Sequence, residues 1–347
     1  MTVTDLHTAL ASLLAPYDEG QRVVVMDDKL SFDSAYPTLR ISVDECRKSL
    51  DAVSEIWDFL LEHGITRRGV MVCVGGGVLT DIGGFAAATY KRGIDYINVP
   101  TTLLSMVDAS SGGKTGINYR GLKNAIGVFA PPIKTVIWPG WLKTLPAKEL
   151  LSGFSEMLKT GLIESTEYRI QNTDLLWNRL LQYDLERMDI DALTPLIEEC
   201  VAAKERIVAA DPKEEGLRKV LNFGHTFGHA LEELTVSGDG LAVSGSMPHG
   251  YAVVYGMIAE LYLSVVKLGC PKEPLQQLTQ LMLYYYGRPQ CNCSDRERLV
   301  ALMRQDKKNE RTAEINCTLI REVGSPVINQ VITPVEANEA LEYLFSL

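Results

Sequence analysis

Five histidines occur in 347 residues, and three of them fall between positions 225 and 249. His225 and His229 are four apart, so a helix puts both imidazoles on one face. His249 precedes Gly250 at the start of another helical stretch. Neutral imidazole is the commonest metal ligand and suits Zn²⁺. One such histidine is ordinarily a core or capping residue; three so close point to a site. Thr226 stands where H-E-x-x-H has its glutamate, which disfavours a metalloprotease. Glu156 and Lys159, three apart, share a helix face. They read as a surface ion pair, or, beside apolar Phe154, Leu162 and Ile163, as a buried carboxylate needing a cation or metal. One carboxylate oxygen with two imidazoles is a catalytic zinc set with a position left open.

Glycine marks a second region. Gly75-Gly76-Gly77 closes an apolar run and opens a helix. Such a turn lets backbone approach a diphosphate and offers helix N–H groups, and it also occurs for packing alone. The triplet is not the spaced G-x-G-x-x-G fingerprint. Asp81, one turn into that helix, reads as first-turn charge stabilisation or as part of the site. Ser110–Gly116 reads as a flexible glycine turn bearing Lys114, without Walker A spacing. The charged stretch Asp211–Arg218 runs straight into the histidine pair, which makes Arg218 a candidate anion ligand.

These residues need positioning elements. Arg22–Met26, Gly69–Val74, Asp95–Val99 and Thr135–Trp138 read as strands, with helices over Val43–His63 and Val78–Lys91. Strand, glycine turn, helix, strand is the unit of a parallel sheet. From Pro146 the pattern turns helical: Ala147–Ile163, Ala192–Ala209, His225–Leu234, His249–Leu268 and Glu336–Phe345. Ile315–Ile320 is the exception, a strand that would pair locally. The expected division is an α/β domain over 1–145 and a mostly helical domain over 146–347.

Composition limits the function classes. Apolar residues at 46% and charged residues at 22% describe a globular chain with a sizeable core. A net charge of -10 argues against nucleic acid. An anionic substrate would need a local cluster of Lys and Arg against that field. Seven scattered cysteines fit reduced thiols in a cytoplasm. No uninterrupted run of 18 apolar residues occurs, so no membrane span is expected. The N-terminal stretch lacks a basic leader and reads as mature protein.

Seven stretches together resemble the 3-dehydroquinate synthase family: 75–93 (GGGVLTDIGGFAAATYKRG), 99–118, 123–127 (KNAIG), 144–163, 204–232, 249–257 (HGYAVVYGM) and 306–310 (DKKNE). The resemblance implies an α/β nucleotide-binding domain, an α-helical C-terminal domain, an active site in the cleft between them, and a homodimer. It implies conversion of a phosphorylated sugar acid, 3-deoxy-D-arabino-heptulosonate 7-phosphate, to 3-dehydroquinate and phosphate in the shikimate pathway. NAD⁺ and a divalent metal, mostly Zn²⁺ with Co²⁺ as the alternative, would be the cofactors. The family's metal ligands match Glu156, His225 and His249. Its NAD positions match Glu45, Lys48, Gly76, Gly77, Asp81, Thr101, Thr102, Lys123 and Thr144. Asp108 and Lys114 match positions between cofactor and substrate. Substrate positions match Asn124, Lys159, Lys204, Glu214, Arg218, Asn222, His229 and Lys307, with Lys308 the alternative to the last. Arg92 matches an arginine passed across the dimer to the partner's phosphate site. Tyr251 stands where the family usually has glutamate, and altered packing or contacts around the ligands are expected there rather than a lost metal. Two rivals stand beside this reading: another sugar phosphate cyclase with the same cofactor logic, and a metal-dependent alcohol dehydrogenase, which shares the two-domain plan and would accumulate NADH.

Overall fold

The computed structural model describes residues 1–120, 122–164, 175–236, 247–291, 293–305 and 314–347; Lys307 and Lys308 lie outside them. The chain forms two compact units. One comprises Met1–Pro146 and Met188–Glu205, the other Ala147–Arg187 and Arg206–Leu347.

Unit 1 is built on a parallel sheet of five strands: β1 (Arg22–Asp27), β2 (Thr38–Ile41), β3 (Val70–Gly75), β4 (Asp95–Pro100) and β7 (Lys134–Thr135), in the order β2-β1-β3-β4-β7. All six residues of β3 are buried, which is why it reads as an unbroken apolar run. Helices α1 (Leu6–Leu14), α2 (Leu50–Glu62) and α3 (Gly77–Thr89) accompany the sheet. Val23 and Val25 of β1, Met71 and Cys73 of β3, Ile56 of α2 and Ile82 of α3 share one buried core. An antiparallel hairpin, β5 (Lys114–Tyr119) with β6 (Leu122–Phe129), completes the elements that matter here.

Three sequence expectations change in this unit. The helix expected over Val43–His63 is a short 3-10 turn, Glu45–Arg47, and then α2. Asp44 accepts a hydrogen bond from the Arg47 N–H (2.8 Å) and caps that turn, so the helix restarts only at Leu50. The Ser110–Gly116 turn leads into the β5–β6 hairpin. Every residue of β6 is exposed, so no buried alternation announces it. Beyond Thr135 the expected strand loses its ladder, and Ile137 pairs only with Thr2 in an isolated bridge.

Unit 2 is helical: α4 (Ala147–Ile163), α5 (Leu176–Gln182), α7 (His225–Val236), α8 (His249–Leu268), α9 (Glu273–Tyr285), α10 (Arg296–Gln305) and α11 (Pro334–Ser346). Helix α6 (Ile190–Ala210) contributes its first sixteen positions, through Glu205, to unit 1. The expected strand β8 (Ile315–Ile320) pairs antiparallel with β9 (Pro326–Ile332). Helix α8 is long and apolar enough by length and composition to cross a membrane, and 67% of its apolar window is buried inside the protein. It is the central helix of this unit, buried almost continuously from Gly250 to Ser264.

Candidate active site

In unit 2 the metal-ligating residue types meet. Gly224, at φ +80°, turns the chain into α7. The carboxylate of Glu260, on α8 and fully buried, accepts hydrogen bonds from the N–H groups of Gly224 (2.7 Å) and Thr226 (3.2 Å). Those are otherwise orphaned donors of the helix start. His225 is thereby fixed as the first residue of α7. Its Nδ1–H donates to the Phe223 carbonyl (3.1 Å), which leaves Nε2 as the acceptor nitrogen, 3.6 Å from Glu156 Oε1. His249 Nε2 lies 3.3 Å from the same oxygen. One ligand atom from each of Glu156, His225 and His249 lies within 4.8 Å of the others. A donor set of one carboxylate oxygen and two imidazole nitrogens suits Zn²⁺ or Co²⁺.

Glu156 and Lys159 form an ion pair with both side chains buried, at 1% and 2% exposure, so the pair is not a surface one. His229, one turn beyond His225, keeps its ring 5.3 Å from His225 and 6.5 Å from His249. Burial works against a charge on His249, but hydrogen bonds to Glu156 and Glu232 outweigh it and push its pKa up to about 10. Arg218 is buried on the 3-10 turn Leu217–Asn222, and its guanidinium donates to the Pro212 carbonyl (2.7 Å). Asn222 Nδ2 donates to Glu214 Oε1 (3.0 Å), and Glu214 itself sits at φ +63°.

Unit 1 gathers most of the remaining candidates. Lys48 Nζ donates to Asp81 Oδ2 and to Asn124 Oδ1, each at 2.5 Å. Burial raises the Asp81 carboxyl above its ordinary value, opposed by Lys48. Glu45 joins through Asn118, whose Nδ2 donates to its Oε1 (2.9 Å). Gly76 caps α3 and Gly77 begins it. A Cβ on Gly77 would meet the Ala109 methyl at 3.0 Å, and one on Gly76 the Thr102 methyl at 3.2 Å, so side chains would fill the space over this helix start. Thr101 is buried, and Thr102 bonds Ser105 (2.9 Å). Lys204 Nζ donates to Asp108 Oδ1 (2.5 Å) and to its carbonyl (2.6 Å). Arg92, Lys114, Lys123 and Thr144 are exposed. Arg92 (φ 70°) lies between two further residues of positive φ, Lys91 and Gly93.

Three contributors stand outside the sequence reading. Glu260 and Asn118 act through long-range contacts that no local spacing marks. Glu232 had a signal: it follows His225 by seven, so His225, His229 and Glu232 form one helical stripe. Tyr251 packs edge-on against Tyr286, ring centroids 5.0 Å apart, so its local role is aromatic packing.

Residues 38–152 match the 3-dehydroquinate synthase N-terminal family and residues 153–309 the 3-dehydroquinate synthase C-terminal family. A 3-dehydroquinate synthase of Parabacteroides distasonis is 42% identical over 319 residues, covering 92% of this chain and 86% of the relative. Among solved structures, 2-epi-5-epi-valiolone synthase from Streptomyces hygroscopicus subsp. jinggangensis, with NAD⁺ and Zn²⁺ bound, superposes with a TM-score of 0.82 at 27% identity, covering 100% of this chain and 96% of that one. A 2-deoxy-scyllo-inosose synthase, complexed with carbaglucose-6-phosphate, NAD⁺ and Co²⁺, shares the fold at a TM-score of 0.80 and 22% identity, over 96% of this chain and 94% of that one.

Proposed function

The chain belongs to the 3-dehydroquinate synthase family, and from that premise we propose that it converts 3-deoxy-D-arabino-heptulosonate 7-phosphate to 3-dehydroquinate and phosphate. It is then a carbon–oxygen lyase. The observation that carries the reading is the meeting of Glu156, His225 and His249 beside Lys159 and His229. Oxidation at C5 is transient and reversed, phosphate leaves by elimination, and an intramolecular aldol step closes the ring.

Glu156, His225 and His249 would hold a Zn²⁺ ion, which would supply a Lewis acid for the reacting hydroxyl, and bound NAD⁺ would supply a reversible hydride acceptor. The close-packed helix start at Gly76 and Gly77, with Thr101, Thr102, Asp81, Lys48, Glu45, Lys123 and Thr144, binds the dinucleotide in this reading. The α3 N-terminus favours its diphosphate. Lys159, Arg218 and Asn222 bind the anionic substrate by charge-assisted hydrogen bonds, and Glu214 holds Asn222 in place. His229 carries protons at its ring nitrogens. Asp108, Lys114, Asn124, Lys204 and Lys307 complete the polar set, and Arg92 serves a partner subunit's phosphate site. The cofactor part is residues 1–145, the metal and substrate part 146–347, and the enzyme is a cytoplasmic homodimer.

The test is phosphate release from the heptulosonate phosphate with NAD⁺ and Zn²⁺ while absorbance at 340 nm is followed. Stoichiometric phosphate, no lasting NADH and loss on chelation are expected. Steady NADH accumulation from simple polyols would mean a dehydrogenase instead. Phosphate from another sugar phosphate only would mean a different cyclase.

A further inference from the structure

Glu232 has no place among the ligand, cofactor or substrate residues above, yet it is 8% exposed and aimed at one of the ligands. Its Oε2 accepts a hydrogen bond from His249 Nδ1–H at 3.1 Å. A carboxylate can only accept here, so when Nε2 gives up its proton to ligate a metal, the remaining ring proton is held on Nδ1 and Nε2 is left as the lone-pair nitrogen. That nitrogen is the one 3.3 Å from Glu156 Oε1. His225 has the corresponding support from a backbone carbonyl. His249 sits at the first residue of α8, where its ring has no preceding helical turn to pack against. Its side chain is 29% exposed against 1% for Glu156. The ring therefore needs an external hold, and Glu232 provides one from a different helix, two turns along α7 from His225.

The geometry points to Glu232 as a positioning residue for the metal centre: it fixes the tautomer and aim of His249 and raises the basicity of its ligating nitrogen. This rests on the metal reading of Glu156, His225 and His249. A carboxylate behind a metal-bound imidazole typically changes affinity by about 10- to 100-fold. Glutamine at this position would keep an acceptor oxygen but lose the charge; alanine would lose both.

The experiment measures Zn²⁺ affinity of the purified apo chain by competition with a chromophoric chelator. It compares the wild type with Glu232→Ala, Glu232→Gln and, as a control at the exposed next position, Glu233→Ala. Expected losses are about 100-fold for alanine, about tenfold for glutamine and none for the control. Co²⁺ bound in place of Zn²⁺ should show a visible spectrum altered in Glu232→Ala and largely restored in Glu232→Gln. If the alanine variant does not fold, the glutamine variant still decides. Zn²⁺ affinities of the folded variants within twofold of wild type would overturn the inference, as would a lowered apo melting temperature with unchanged affinity. A His225→Ala control separates the two readings. Wild type that binds one Zn²⁺, lost in His225→Ala, with Glu232 variants unaffected, sinks the positioning role alone. Wild type that takes up no Zn²⁺ sinks the metal reading and this inference with it.

Discussion

Asn118 ties three neighbours in unit 1 together through its N–H, Nδ2 and Oδ1. Its N–H donates to the Lys48 carbonyl (2.8 Å), and its Nδ2 to the Glu45 carbonyl (3.2 Å) and Oε1 (2.9 Å). Its Oδ1 accepts from the Asn124 N–H (2.8 Å), holding Asn124 at φ 51° within reach of Lys48. Each unmade bond of this kind costs about 1 kcal/mol. Asn118→Ala is therefore expected to weaken NAD⁺ binding by about tenfold, about 1.4 kcal/mol, while unit 1 stays folded. Asn118→Asp should do worse, since it sets a second carboxylate against Glu45. Calorimetric titration with NAD⁺ checks both, and unchanged affinity would remove Asn118 from the cofactor site. Asp211 makes a comparable hub in unit 2, accepting from the N–H groups of Glu215 (3.0 Å), Gly216 (2.8 Å) and Arg218 (3.0 Å). These bonds, the one from Arg218 first, hold its carboxyl below the ordinary value. A depressed carboxylate stabilises the fold above its unfolded pKa, and that contribution fades as pH falls through the folded value. Amide protection at Glu215, Gly216 and Arg218 should thus be full near neutrality and decline below about pH 4. Asp211→Ala should lose it at every pH. Protection factors from hydrogen exchange decide this; pH-independent protection in the wild type would contradict it.

Helices α7 and α8 meet through glycine. A Cβ on Gly256 would fall 1.9 Å from the Gly224 carbonyl oxygen and 2.8 Å from the Gly228 nitrogen. Both targets are backbone, so neither can swing aside. Gly256→Ala must push the start of α7 away from α8, and with it the Glu260 bonds that cap α7 and hold His225 at its first position. Overpacking of this sort costs about 1–3 kcal/mol. A lowered melting temperature together with weaker Zn²⁺ binding is the expected outcome. A wild-type Zn²⁺ affinity would show that the helix contact does not set the ligand geometry. This contact also explains what the sequence made legible. The i, i+4 histidines announced α7 because that spacing is helical, although only the first of them joins the cluster with Glu156 and His249. The partner that caps it, Glu260, is 36 residues from Gly224 and is visible only once the two helices pack. The β5–β6 hairpin escaped for a different reason. Leu122, Ile126, Val128 and Phe129 are apolar yet exposed at 38–59%, so periodicity linked to burial has nothing to report.

At the scale of the chain, a net charge of -10 demanded a local excess of cations for any anionic substrate. Two of the candidates, Lys159 and Arg218, are 2% exposed, inside unit 2 rather than on its surface. Buried cations need partners, and the folded chain supplies them from Glu156 and the Pro212 carbonyl. No spacing in the sequence identifies the second of these. The three central strands β1, β3 and β4 were legible because they are buried almost throughout, whereas β2, with one buried residue in four, went unread. The assignment of Met188–Glu205 to unit 1 was not legible either, since α6 reads as one continuous helix through the change of unit. This division has a thermodynamic consequence. The residues proposed to hold NAD⁺ lie in unit 1, and those proposed to hold Zn²⁺ lie in unit 2. A ligand stabilises only the folded region that binds it, by about 2.7 kcal/mol at a hundred times its Kd. Calorimetry should then resolve two transitions, one raised by NAD⁺ alone and the other lowered by a chelator alone. His225→Ala should abolish the chelator's effect and leave the NAD⁺ shift intact. A single transition moved equally by either ligand would mean that the two units unfold together, and neither ligand could then be assigned to one of them by melting.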